Sequence, residues 1–277
     1  MAYEFIKYET SADGITTITL NRPPVNAFNA QMRDELIHAL KRFDTARGER
    51  ISILTGAGKR FSAGEDLRNV NLEACDMEMS AYASQTLEQY HAIVRHILSI
   101  GKPIIALLNG EAAGAGMSIA LACDYRIAKV TDLKADRSKT IMRPAFADLG
   151  LIADSGMTAT LPRLAQQEDK RKIQAWYETP GRFLSLEDTL LAGLINVLPH
   201  DQLSLSFEEK LRSFLVNDEK LLEVSPLCYR IYKAERNKAL LYELERAVFA
   251  WEISAQTECL QSQCFKQRAK EFLDKQN

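Results

Sequence analysis

The sequence predicts an α/β protein in which strands and helices alternate through the N-terminal part and helices alone build the C-terminal part. Two observations carry this prediction. Apolar or β-branched runs at residues 15–20, 51–55 and 104–108 are each followed by a turn and a helical pattern. After Leu151 the strand-like runs give way to helical spacing, with no fixed-period repeat anywhere. The 277 residues, 46% hydrophobic and 26% charged, supply ample material for a core.

Residues 4–10 and 15–20 alternate around Ala12-Asp13-Gly14 and read as a hairpin, which Pro23-Pro24 ends because proline cannot donate to a ladder. A helix is predicted from about Asn29 to Arg47, with Met32, Leu36, Ala39, Leu40 and Phe43 on one face. Residues 51–55 form the next strand, followed by a glycine-rich loop from Gly56 to Gly64 that lacks the Gly-Lys-Ser/Thr ending of a P-loop. The chain is polar and irregular to about Glu78, and a helix from roughly Ser80 to Ile100 leads into strand 104–108. Gly110, Gly114 and Gly116 then permit a tight turn and close approach of a ligand. An Ala-rich helix through Ala122 follows, apolar on nearly every side and therefore buried. Its first N–H groups lack intrahelical partners and can hold developing negative charge. Helices are expected over residues 157–164, 171–177, 186–192 and 207–216, and through the region 225–275, with a soft boundary near Pro199.

Two resemblances compete for the glycine turn. Gly110-x-x-x-Gly114-x-Gly116 with Tyr125-x-x-x-Lys129 is similar to short-chain dehydrogenases, but that loop should open the first βαβ unit, and the Tyr-Lys pair should lie far downstream. The stretch Lys102 to Ala128 instead resembles the signature of the enoyl-CoA hydratase/isomerase (crotonase) superfamily. Asn21 to Phe28 and Phe61-Ser62-Ala63-Gly64-Glu65-Asp66-Leu67 are similar to two further motifs of that superfamily, so the resemblance covers nearly the whole chain. It implies a crotonase (ClpP-like) spiral of ββα units over residues 1–199 and a helical trimerisation region over 200–277.

The resemblance also implies chemistry: two backbone N–H groups grip a thioester oxygen and stabilise the enolate at the acyl α-carbon. Carried over, the donors are those of Ala63 and Ala115. Water-adding members use two glutamates, and here Ser118 and Phe146 stand in their places, which argues against a standard hydratase. Asp154, ahead of Ser155-Gly156 and a helix, matches the acid of enoyl-CoA isomerases; its alternative use is a helix N-cap. Glu65 is a candidate second acid or a solvated loop residue, Asp66 a loop-fixing residue and Glu111 structural. Lys59, Arg60, Ala63, Gly64, Arg22 and Lys275 are candidates for contacting CoA, and Phe265 packs. The segment 134–143 is longer than the family pattern, which leaves Asp148 open as a replacement acid. The expected activity is a Δ3-Δ2 or ring-enoyl-CoA double-bond shift. The alternatives are decarboxylation, thioester hydrolysis, hydration, or acyl-thioester binding without turnover.

Net charge is −2, which gives no electrostatic case for nucleic acid or an anionic membrane. Five cysteines and four histidines, scattered and without ligand spacing, point to no metal site and to reduced thiols in the cytoplasm. No cofactor is expected beyond the CoA, or carrier-protein arm, of the substrate itself. The resemblance implies a homotrimer or homohexamer, and no leader or membrane span is expected.

Overall fold

A computed structural model describes residues 2–130, 133–165, 168–198 and 206–275. An antiparallel hairpin, β1 (Ile6–Thr10) and β2 (Ile15–Leu20), opens the chain with Ile6 opposite Leu20. Helix α1 (Ala30–Thr45) begins where the Asn29 side chain accepts the Met32 N–H at 2.8 Å, and it buries the predicted apolar face. Strand β3 (Ile51–Gly56), helix α2 (Asp76–Ser99), strands β4 (Ile104–Leu108) and β5 (Ala112–Ala113), helix α3 (Ala115–Ala122) and strand β6 (Tyr125–Ala128) follow. Then come α4 (Leu133–Asp136), β7 (Thr140–Arg143), α5 (Met157–Leu164), α6 (Lys170–Glu178), β8 (Leu184–Ser185), α7 (Leu186–Leu191) and β9 (Asn196–Val197).

Two sheets result. The larger runs β1-β2-β3-β4-β6-β9 and is parallel from β2 onward, as fits continuous apolar strands covered on both faces. The smaller runs β5-β7-β8 and is extended by parallel bridges between Ser62 and Ala112 and between Phe28 and Glu65. Each pass of the chain thus adds a strand to the first sheet and then a short extended segment to the second. This is the spiral the resemblance implies.

The segment 134–143 is not a free loop. Its β7 pairs with β5, and the Arg143 carbonyl accepts the Gly114 N–H at 2.9 Å, so it buttresses the glycine turn. Four residues flanked by charged ones are too few to show alternation in the sequence. The tail consists of α8 (Phe207–Ser213), α9 (Pro226–Glu243), α10 (Phe249–Gln261) and α11 (Gln263–Asp274), with π-helical turns at Phe214–Asp218 and Leu244–Val248. It is tied down by Lys233, whose ammonium lies 2.7 Å from Asp124 with both side chains 2% exposed. The boundary expected near Pro199 lies outside the described residues. Among those residues, no helix is long and apolar enough to cross a membrane.

Candidate active site

The two glycine turns meet in the second sheet. Gly64 has φ 87°, and a Cβ there would lie 2.9 Å from the Ala113 carbonyl and 3.2 Å from the Ala115 nitrogen. Only a residue without a side chain lets the loops touch. Gly114, at φ 51° and ψ −128°, delivers Ala115 as the first residue of α3.

The donor expected at Ala63 is already engaged: its N–H donates to the Val25 carbonyl at 3.0 Å. The free group lies two residues on. Phe28 N–H donates to the Gly64 carbonyl (2.7 Å) and Asp66 N–H to the Phe28 carbonyl (2.9 Å). In a parallel bridge the residue between, Glu65, turns its own N–H to the opposite edge. Among the described residues, neither Glu65 N–H nor Ala115 N–H has an acceptor. Both residues line one cleft of about 460 Å³, together with Ala63, Phe146 and Asp154.

Asp154 is 6% exposed and rises from a coil held by left-handed residues, Ser155 at φ 57° and Gly156 at φ 76°. Its Oδ1 accepts the Ser155 hydroxyl and its Oδ2 the Gln256 amide, each at 2.7 Å. Its side chain caps nothing, because Gly156 holds the N-cap position of α5. Burial pushes the carboxyl up to about 7, assisted by Glu252, while Ser155, Gln256 and His91 act in the other direction. The Ser118 hydroxyl, wholly buried, donates to the Asp154 carbonyl oxygen at 3.0 Å. Ser118 therefore acts as a strut for Asp154. Asp148 accepts from Arg143 at 2.7 Å and from the Gly181 N–H, so it is already occupied.

Glu65 is not a solvated loop residue. Arg33, the Tyr82 hydroxyl (2.9 Å) and the Tyr90 hydroxyl (2.6 Å) all hold its carboxylate. Asp66 fixes the loop as expected, accepting from Arg68 and pairing with Arg22 at 2.8 Å. Arg22 also donates to the Ala27 carbonyl at 2.9 Å and does not line the cleft, so it is a loop clamp. Arg60 lines the cleft and pairs with Glu111 at 2.7 Å, whereas neighbouring Lys59 faces a separate groove. Arg68 and Arg143, which the sequence did not single out, also line the cleft. In α11, Phe265 is fully buried and Phe272 and Leu273 reach the cleft, while Lys275 is exposed beyond them.

Four further residues complete the site from the tail and from α2. Glu252 on α10 is completely buried, accepts the Gly156 N–H at 3.0 Å, and lies 2.8 Å from His91 Nε2. Gln256, one turn on, also accepts the Ile152 N–H at 3.2 Å, so one face of α10 holds the Asp154 coil at three points. His91 is 2% exposed and stacks on Phe249 at 4.0 Å. The signal was present in the spacing: Phe249, Glu252, Gln256 and Leu260 share a helix face, and two polar residues interrupt that apolar stripe. All five cysteines are free, and among the described residues no cluster of three or more His, Cys, Asp or Glu could hold a metal.

Comparison with known proteins gives a consistent picture. Residues 10–277 match the family model described as Enoyl-CoA hydratase/isomerase. A probable enoyl-CoA hydratase of Rhodobacter capsulatus is 42% identical over 165 residues, 59% of this chain and 58% of that one. A 1,2-epoxyphenylacetyl-CoA isomerase of Escherichia coli is 41% identical over 157 residues, 55% of each chain. The matched stretch therefore spans little more than half the length of these two relatives. The crystal structure of an enoyl-CoA hydratase from Mycobacterium avium subsp. paratuberculosis superposes with a TM-score of 0.79 at 24% identity, covering 99% of this chain and 97% of that one.

Proposed function

The chain belongs to the enoyl-CoA hydratase/isomerase family, and from that premise we propose that it shifts a double bond in an acyl thioester, with Asp154 as the base. The observation that carries this reading is one buried, cation-free carboxylate sharing a cleft with two unpaired backbone N–H groups. The thioester oxygen takes the N–H groups of Glu65 and Ala115. These are pre-aimed, so negative charge arriving on that oxygen needs no reorganisation. Asp154 removes the proton that leaves the dienolate and returns it at the far end. An acid–base pair matched near 7 suits both steps.

Hydration needs a second group to hold and deprotonate water. Ser118 is committed to the Asp154 backbone, Phe146 is apolar, and Asp148 and Glu65 are saturated by their partners. This supports isomerisation over hydration. The name of the Escherichia coli relative supports the same reaction class and an acyl group carrying a ring. The name of the Rhodobacter relative favours hydration as the second reading. Arg60, Arg68 and Arg143 line the cleft, each holding a carboxylate partner, and their remaining guanidinium N–H groups are available to the CoA phosphates. Exposed Leu227, Ile231, Tyr232 and Trp251 on the tail support assembly as a homotrimer or homohexamer, which light scattering of the purified protein reads directly.

The test is spectroscopic. Mixed with a 3-enoyl-CoA, the protein is expected to raise the conjugated thioester absorbance and to consume little 2-enoyl-CoA. Asp154→Asn should lower kcat/KM on the first by about 10³-fold. Rapid loss of the 2-enoyl ester would establish hydration. Silence with both substrates would transfer the site to decarboxylation, thioester hydrolysis or binding alone.

A further inference from the structure

The proposed reading uses Asp154 but leaves Glu252 unexplained. A wholly buried glutamate is costly unless a charge or a proton neutralises it. Among the described residues no Lys or Arg meets it: it takes the Gly156 and Ser155 N–H groups and faces the His91 ring nitrogen. The 2.8 Å contact between Glu252 Oε2 and His91 Nε2 requires a proton from one of the two.

We propose that Glu252 is a positioning residue that shares one proton budget with Asp154, so that the resting site carries a single negative charge on the carboxylate facing the cleft. This deepens the reading of Asp154 as the base. Geometry supplies the coupling. Glu252 holds the N–H two residues beyond Asp154, and Gln256 on the same helix face holds Asp154 Oδ2.

Burial pushes Glu252 up to about 8 and Asp154 up to about 7, and it pushes His91 down to about 4. His91 is therefore neutral near pH 7 and cannot neutralise two carboxylates. The charged groups around the three are few. From α2 come Arg95 and Glu88, and from the π-helical turn comes Glu245, which pairs with Arg95 at the surface. Phe249 and Gln256 are uncharged.

Asp154 faces the cleft and accepts two side-chain donors, so the shared proton is placed on Glu252, whose carboxyl faces His91 Nε2. Asp154 is then ionised and ready. When the substrate proton moves to Asp154, the pair becomes neutral. When Asp154 returns that proton to the other carbon of the dienolate, the pair regains one charge, and Glu252 keeps its own proton throughout. Above the Glu252 step, the second charge raises the proton affinity of Asp154.

Infrared pH-difference spectra of the intact protein read carboxylic-acid protonation without turnover, so they test the coupling separately from the reaction. In the wild type, two coupled steps are expected around neutrality. Glu252→Gln keeps an acceptor for Gly156 and a donor for His91, and it imitates the protonated state. It should leave a single step at the lower wild-type position, and the kcat/KM profile should lose its alkaline step. Asp154→Asn should leave the Glu252 step alone, about one pH unit below the upper wild-type step. If the Glu252 step of Asp154→Asn stays at the upper wild-type position, the two groups are independent and the inference is overturned. Coupled steps in a protein that moves no double bond would keep the inference of coupling and sink the isomerase reading instead.

Discussion

Gly64, Glu65 and Asp154 set the geometry of the cleft through backbone conformation as much as through side-chain chemistry. A methyl group at position 64 would meet the Ala113 carbonyl at 2.9 Å in a left-handed backbone. Gly64→Ala is expected to cost about 1–3 kcal/mol of stability and about 10²-fold in kcat, read by urea titration and steady-state kinetics. Glu65 carries a free N–H on one side and a saturated carboxylate on the other, so its side chain anchors its backbone. Arg33 is only 3% exposed at the side chain, and Glu65→Ala leaves that charge unpaired. A loss of about 3 kcal/mol is expected in chemical denaturation, because breaking a buried pair costs more than the pair contributes.

At the scale of elements, the site is a meeting of the second sheet and α3, which follow each other in the chain, with the distant α10. Helix α3 contributes its N-terminus to the cleft and its Ser118 to the Asp154 coil. Ser118→Ala removes one of two donors to the Asp154 carbonyl, the Met157 N–H remaining, with an expected cost of about 1 kcal/mol. It should lower kcat more than it raises KM, since the coil carrying the base loosens while the thioester grip remains. Helix α9 secures the tail through Lys233 and Asp124. Arg236 still pairs with Asp124, so Lys233→Ala is expected to destabilise by about 1–3 kcal/mol, seen as a shift of the denaturation midpoint. The Leu244–Val248 π-helical turn lays Leu244 against Gly156, where a Cβ would approach to 2.9 Å. The tail thus packs onto the backbone that presents Asp154.

For the molecule as a whole, the buried groups predict how stability follows pH. Asp154 and Glu252 titrate higher in the folded chain than in the unfolded one, so the folded state holds extra protons between about pH 4 and about pH 8. Their contribution falls as pH rises across that window. His91 titrates lower when folded, so its contribution rises with pH from about 4 to 6.5. Below 6.5 the two trends oppose each other; above it only the carboxylates act. Urea midpoints are expected to decline from pH 6.5 to 8.5, and Glu252→Gln should flatten the decline.

The sequence by itself determined the alternation of strands and helices and the positions of both glycine turns, and its motifs carried the resemblance that implied the spiral, the missing hydratase glutamates and the candidacy of Asp154. These are local facts: apolar runs, glycine spacing and residue identity are written in consecutive positions. The same locality explains its misses. Which N–H remains free depends on what Phe28 and Val25 accept and donate, so the unpaired N–H proved to be that of Glu65 and not that of Ala63. Arg22 and Lys59 were near the motifs in sequence, yet one turned to Asp66 and the other to a separate groove. The charge environment of Asp154 was decided wholly by tertiary structure, because His91 and Glu252 lie 161 positions apart and become neighbours only when α10 packs along α2. Burial sets the proton affinity of all three groups, and burial exists only once the chain has folded.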